Sequence, residues 1–220
     1  TGEVQLIEGT VVAGVASALE NEKAEQLNEK TLEELLAELD SLIGLQNVKK
    51  HIRDQITLIN FNKMRKEQGV EDDSHFSLHS VAIGNPGTGK TTVMRLLGKI
   101  YHKLGLLSKG HVVEVDRVDL VGEYIGQTAP KVQKQIDEAR GGILFIDEAY
   151  SLARSGEDSR DYGKEVNEIL IKEMSDGPGD IAIFVAGYPK EMRAFIESNP
   201  GLKSRFSQYF NFDDYLPDEL

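Results

Sequence analysis

The sequence predicts an α/β fold, a parallel sheet flanked by helices, and three observations predict it. From Val81 onward, short β-branched runs (SVAIG, HVVEVD, GILFID and DIAIFVAG) alternate with helix-length segments, the pattern of crossover units whose sheet is buried on both faces. The stretch GNPGTGKTT, Gly84 to Thr92, packs three glycines and a proline between an apolar run and a helix-like apolar pattern. Further on, the four apolar residues Ile143 to Ile146 deliver two adjacent acids, Asp147 and Glu148, to the end of a strand. The chain has 220 residues and 40% hydrophobic content, enough for an ordinary globular core.

The elements follow in order. Residues 1–30 form an arm to which the sequence assigns no structure. Its apolar run VVAGVASAL, Val11 to Leu19, contains Ala16-Ser17-Ala18, but Glu3 and Glu8 precede it where a targeting signal carries positive charge. The run is also too short to span a bilayer. At KTLEELLAELDSLIGL, Thr31 and Glu34 make a capping box, and Leu32, Leu35, Leu36 and Leu39 share one helical face. A second amphipathic helix follows Gly44, with Val48, Ile52, Ile56 and Ile59 inward, and VEDDSH after it reads as an acidic loop. Behind the glycine-rich stretch, Val93, Leu96, Leu97, Ile100, Tyr101 and Leu104 recur at helical spacing. No solenoid-length repeat interrupts this order.

Composition removes several classes of function. A formal charge of -12 without a Lys/Arg block disfavours a nucleic-acid partner, and no segment predicts a membrane partner. The chain has no cysteine, so disulfides and thiolate metal sites are excluded, in keeping with a reducing, cytoplasmic location. The histidines, His51, His75, His79, His102 and His111, show no paired ligand spacing.

Gly84-x-x-x-x-Gly89-Lys90-Thr91 fits the phosphate-loop template in the right setting, after an apolar run and before a helix. Asn85, Pro86, Gly87, Thr88 and Gly89 would form a tight turn whose backbone amides face an anion, and the helix starting near Lys90, Thr91 and Thr92 favours negative charge at its amino end. Side chains in place of the glycines would block that approach. Lys90 would supply charge to the outer phosphates, and the Thr91 hydroxyl would ligate Mg2+. Asp147 would hold the same ion and Glu148 would deprotonate the attacking water. A water-activating glutamate beside the metal acid argues against a kinase. A GTPase reading lacks the guanine-reading Asn-Lys-x-Asp, since Asn62-Lys63-Met64-Arg65 ends in Arg and lies before the loop.

LIGLQNVKKHI, GNPGTGKTT, VDLVGEYIGQTAPKV, GGILFIDEAYSL, FVAGYPKEM and NPGLKSRF, in that order, resemble the AAA+ ATPases, in the branch that includes CbbX/CfxQ, SpoVK and EccA. The resemblance runs from about Leu39 to the C-terminus and leaves everything before Thr31 outside it. It implies a P-loop NTPase (AAA+) core over residues 31–216. It also implies that residues 217–220, where Pro217 precedes Asp218 and Glu219 as at a helix start, open a helical lid domain that is truncated here. Leu42, Ile43 and Gly44 match the adenine-contacting segment, which would make the nucleotide ATP; a plain interhelical turn is the other reading. Arg205 matches the arginine finger that reaches into a neighbouring subunit's site. Tyr124-Ile125-Gly126 match the pore loop that grips a protein substrate, against the alternative that Tyr124 packs on its own domain. Val185-Ala186-Gly187-Tyr188-Pro189 lacks the polar sensor side chain common in the wider family.

The resemblance implies an ATPase with Mg2+, a hexameric homo-oligomer and a protein substrate threaded through a central pore. An ATP-dependent assembly scaffold or switch, in which turnover is incidental, is the alternative. A DNA-handling member of the family is disfavoured by the acidic balance.

Overall fold

The computed structural model describes residues 30–69, 77–124, 126–153 and 162–215. The expected arm, apart from Lys30, the VEDDSH loop, Ile125 and the expected lid start lie outside them. The described elements are α1 (Leu32–Ser41), α2 (Gln46–Glu67), β1 (Ser80–Gly84), α3 (Lys90–Lys103), β2 (Val112–Val115), α4 (Arg117–Leu120), α5 (Thr128–Ala139), β3 (Ile143–Ile146), a 3-10 turn (Ala149–Ala153), α6 (Tyr162–Asp176), β4 (Ala182–Gly187), α7 (Pro189–Glu197), α8 (Pro200–Arg205) and β5 (Gln208–Phe212).

Among the described residues the strands form one parallel sheet in the order β2-β3-β4-β1-β5. Because side chains alternate along a strand, each buried strand feeds two cores. Ala82, Ile143, Phe145, Ala182, Phe184, Phe210 and Phe212 pack under α1, α2 and α3. Val81, Leu144, Ile146, Ile183 and Val185 pack under α5, α6, α7 and α8. The runs are apolar throughout for that reason.

The Thr31 hydroxyl accepts from the Glu34 amide at 3.2 Å and the Glu34 carboxylate accepts from the Thr31 amide at 2.7 Å, the capping box read from sequence. Leu35 and Leu39 are buried, whereas Leu32 and Leu36 only edge the core. On α2 the inward set Val48, Ile52, Ile56 and Ile59 is buried, as its spacing predicts.

One half-buried histidine makes the fold sensitive to acid. His79, just before β1, accepts a hydrogen bond from the Ile183 amide on Nδ1 at 3.0 Å, so this nitrogen is unprotonated. Burial lowers its pKa to about 4, against a smaller opposing pull from Glu173. The unfolded chain, with an ordinary pKa of about 6.5, takes up the proton first as pH falls, so stability present above that value is lost from there downward. Denaturant melts at pH 7 and pH 5 should differ by about 2 kcal/mol through this residue alone, and His79→Asn should remove that part of the slope.

Candidate active site

The phosphate loop leaves the carboxyl end of β1, an interior strand between β4 and β5. Gly84 permits the close approach of β5, since a Cβ there would lie 2.7 Å from the Phe212 carbonyl oxygen. Gly87 and Gly89 hold left-handed φ values of 77° and 84°, which glycine adopts without steric cost. Thr88 is buried and its hydroxyl donates to the Asn85 carbonyl at 2.8 Å, pinning the turn. Gly89 caps α3 without a side-chain hydrogen bond, and the first turn carries no acid. Its leading amides are therefore left for an anion.

Lys90 is buried and its ammonium donates to the Gly84 and Asn85 carbonyls at 3.0 and 2.8 Å. Burial lowers its pKa and the charge of Asp147 pulls the other way; the lysine follows β1 and the acid follows β3, the two strands that flank β4. Asp147 is half-buried, and its carboxylate accepts from the Glu148 amide at 2.9 Å. Glu148 is exposed and sits at φ 47°, a left-handed backbone that costs a non-glycine residue about 1 kcal/mol or more and often marks a working position. The Thr91 hydroxyl donates to the Glu114 carboxylate of β2 at 3.1 Å, leaving its lone pairs free. Thr91 and Asp147 offer the hard oxygens that Mg2+ takes, beside an uncapped helix start. The residues present fit a magnesium-bound polyphosphate.

A cleft of about 440 Å³ opens beside the loop, lined by Leu42, Ile43, Leu45, Gly89, Thr92 and Tyr215 among others. Its size is that of a small-molecule site. Ile43 is 60% exposed and faces solvent at this mouth. Gly44 is not among the lining residues; with φ 63° it makes the turn that carries Ile43 there. Tyr215, which the sequence reading does not single out, closes the other side. The strap that carries it is fastened, since Asn85 donates to the Asp214 carboxylate at 2.8 and 2.9 Å and Asn47 donates to Asp213 at 2.6 Å.

Arg205 stands elsewhere. Its carbonyl accepts from Ser77 at 3.4 Å, and Gln208 pairs with Ser80, so it lies at the amino end of the strands, about 13 Å or more of strand from the loop. Its guanidinium donates to Ser175 at 2.6 Å and to the Gly201 carbonyl at 3.2 Å. Tyr124 is 67% exposed, so most of the residue faces solvent. Its loop is anchored by Lys131, which donates to the Val118 and Val121 carbonyls at 3.1 Å each, while Gly126 is exposed at φ 83°. At the sensor position, a Cβ on Gly187 would fall 2.7 Å from the Tyr150 ring, so that ring fills the space a sensing side chain needs.

Residues 81–214 match the family model described as ATPase family associated with various cellular activities (AAA). The chain belongs to the AAA family and is an AAA-type ATPase. It is 43% identical to the Stage V sporulation protein K of Bacillus subtilis over all of this chain and 69% of that relative. It is 47% identical to the chromosomal protein CbxX of Cupriavidus necator over 94% of this chain and 65% of the relative. It is 46% identical to the chloroplastic ribulose bisphosphate carboxylase/oxygenase activase of Cyanidioschyzon merolae over 89% of this chain and 66% of that protein. The chain thus spans about two thirds of the length of these relatives. Among the described residues no helix is long and apolar enough to cross a membrane.

Proposed function

We propose that this chain is the ATP-hydrolysing motor of a homo-oligomeric ring, a hexamer, that pulls on a protein substrate. ATP seats its base in the cleft lined by Ile43 and Tyr215 and its phosphates in the loop Asn85, Pro86, Gly87, Thr88 and Gly89 and at the helix start Lys90, Thr91 and Thr92, against the backbone N–H groups of these residues other than Pro86, which has none. Lys90 exchanges the Gly84 and Asn85 carbonyls for phosphate oxygens. Mg2+, held by Thr91 and Asp147, would neutralise charge on the outer phosphates. Glu148 takes the proton of the attacking water, and Arg205 of the adjoining subunit faces the charge that develops on the transferred group.

One observation supports the ring: the phosphate loop and Arg205 occupy opposite ends of the same sheet. A group needed at one end and presented at the other calls for a head-to-tail contact between copies, and such contacts form a ring where the rotation between copies closes. Tyr124, exposed on an anchored loop before Gly126, offers the sequence-tolerant aromatic area that grips an extended chain. A cytoplasmic location and a role like that in the names of the relatives belong to the same proposal.

Phosphate release by the protein with and without casein, as an unstructured polypeptide, tests the pulling step. Casein should raise turnover, and Tyr124→Ala should reduce the stimulated-to-basal ratio to near one. Full stimulation in that variant would remove Tyr124 from the substrate path.

A further inference from the structure

Lys49 is 5% exposed, on the inner side of α2 near its start. Its ammonium donates to the Asp40 carbonyl at 3.1 Å and to the Leu42 carbonyl at 2.5 Å. These carbonyls lie at the carboxyl end of α1, where the helix dipole is negative and the last turn of α1 holds no basic residue. Lys49 supplies the missing cation from the next helix. A buried ammonium is costly to desolvate and persists only where its protons are taken up.

The segment it holds is the wall of the cleft. Leu42, Ile43 and Leu45 line it, and the turn between α1 and α2 passes through two successive left-handed residues, Gly44 at φ 63° and Leu45 at φ 59°. A leucine in that conformation is disfavoured and needs its surroundings to hold it. The Leu45 carbonyl accepts the first main-chain hydrogen bond of α2, from the residue 49 amide at 2.9 Å, a bond any residue there would make. Within the described residues, no hydrogen bond uses the backbone amide of Ile43 or Gly44. Lys49 holds the Leu42 carbonyl, and the Ile43 and Gly44 amides stay available to a base edge.

We infer that Lys49 is a positioning residue for the nucleobase: it clamps the Leu42–Leu45 turn so that its backbone, not a side chain, meets the base edge. The inference rests on the reading of the cleft as a base site. Lys49 touches neither the base nor the phosphates. It acts through the turn, so its loss falls on ligands that carry a base and spares those that do not.

The test compares ATP with inorganic tripolyphosphate, which has the phosphates and no base, in calorimetric titrations of the full chain in EDTA. Wild type should prefer ATP. Lys49→Met should weaken ATP binding by about tenfold or more, the scale expected for charge-assisted hydrogen bonds lost from a buried group, and leave tripolyphosphate within about twofold. Lys49→Arg, which keeps a cation able to reach the carbonyls, should restore most of the preference. If Lys49→Met does not fold, Lys49→Gln, with a neutral donor, is read the same way. An unchanged ATP-to-tripolyphosphate ratio in the variant overturns the inference, as does equal loss of both ligands. A wild type that binds the two equally overturns the base-site reading itself, and this inference with it.

Discussion

A Glu148→Gln protein should bind ATP as wild type does and release phosphate about a hundred- to ten-thousandfold more slowly, the range that separates a positioned general base from its absence. The amide has the size of the carboxylate but cannot accept the proton of the attacking water. The substitution spares the rest of the site. Lys90 and Asp147 keep their electrostatic contact, and glutamine accepts the φ of 47° no worse than glutamate does. Nucleotide retention on a filter together with phosphate release checks both halves, and wild-type-like turnover would take Glu148 out of the base role.

Arg205→Ala should cost turnover on the order of a thousandfold, the scale of an arginine finger in phosphate-loop enzymes. Lys90→Ala should be equally inactive because nucleotide is no longer held. Mixing the two dead proteins should recover activity. A site with an intact Lys90 would then be completed by the Arg205 of a Lys90→Ala neighbour, in about a quarter of the sites of a randomly mixed head-to-tail ring. Recovery depends on the separation described above, with the Arg205 carbonyl tied to Ser77 ahead of β1 and the loop beyond its far end. If Arg205 served its own subunit, mixing would restore nothing.

Much of this was legible in the sequence because local patterns carry it. The helix caps of α1, the apolar faces of α1 to α3, the runs of β1 to β4 and the glycine spacing of the loop are all short-range signals. β5 was not read. It is an edge strand in which Phe210 and Phe212 face inward while Tyr209 and Asn211 remain exposed; the burial alternates with the strand period, but an aromatic on each face, Tyr209 beside Phe210, hides that alternation in the residue types. Lys49 and Tyr215 were missed for another reason, since their roles depend on partners in other elements and no spacing records that. The position of Arg205 relative to Lys90 required the strand order, which places β5 beside β1. Tyr124 could be assigned a motif from its neighbours, but whether it faced water was a property of the folded surface.

The meeting of Gly187 with the Tyr150 ring couples two positions sterically. An asparagine at residue 187 would place its Cβ 2.7 Å from the Tyr150 ring and 2.9 Å from Met192 Sδ, so these side chains would have to shift, and substitutions at residues in such contact are energetically coupled. A smaller residue at 150 should therefore ease a side chain at 187, and the two substitutions together should cost less stability than the sum of each alone.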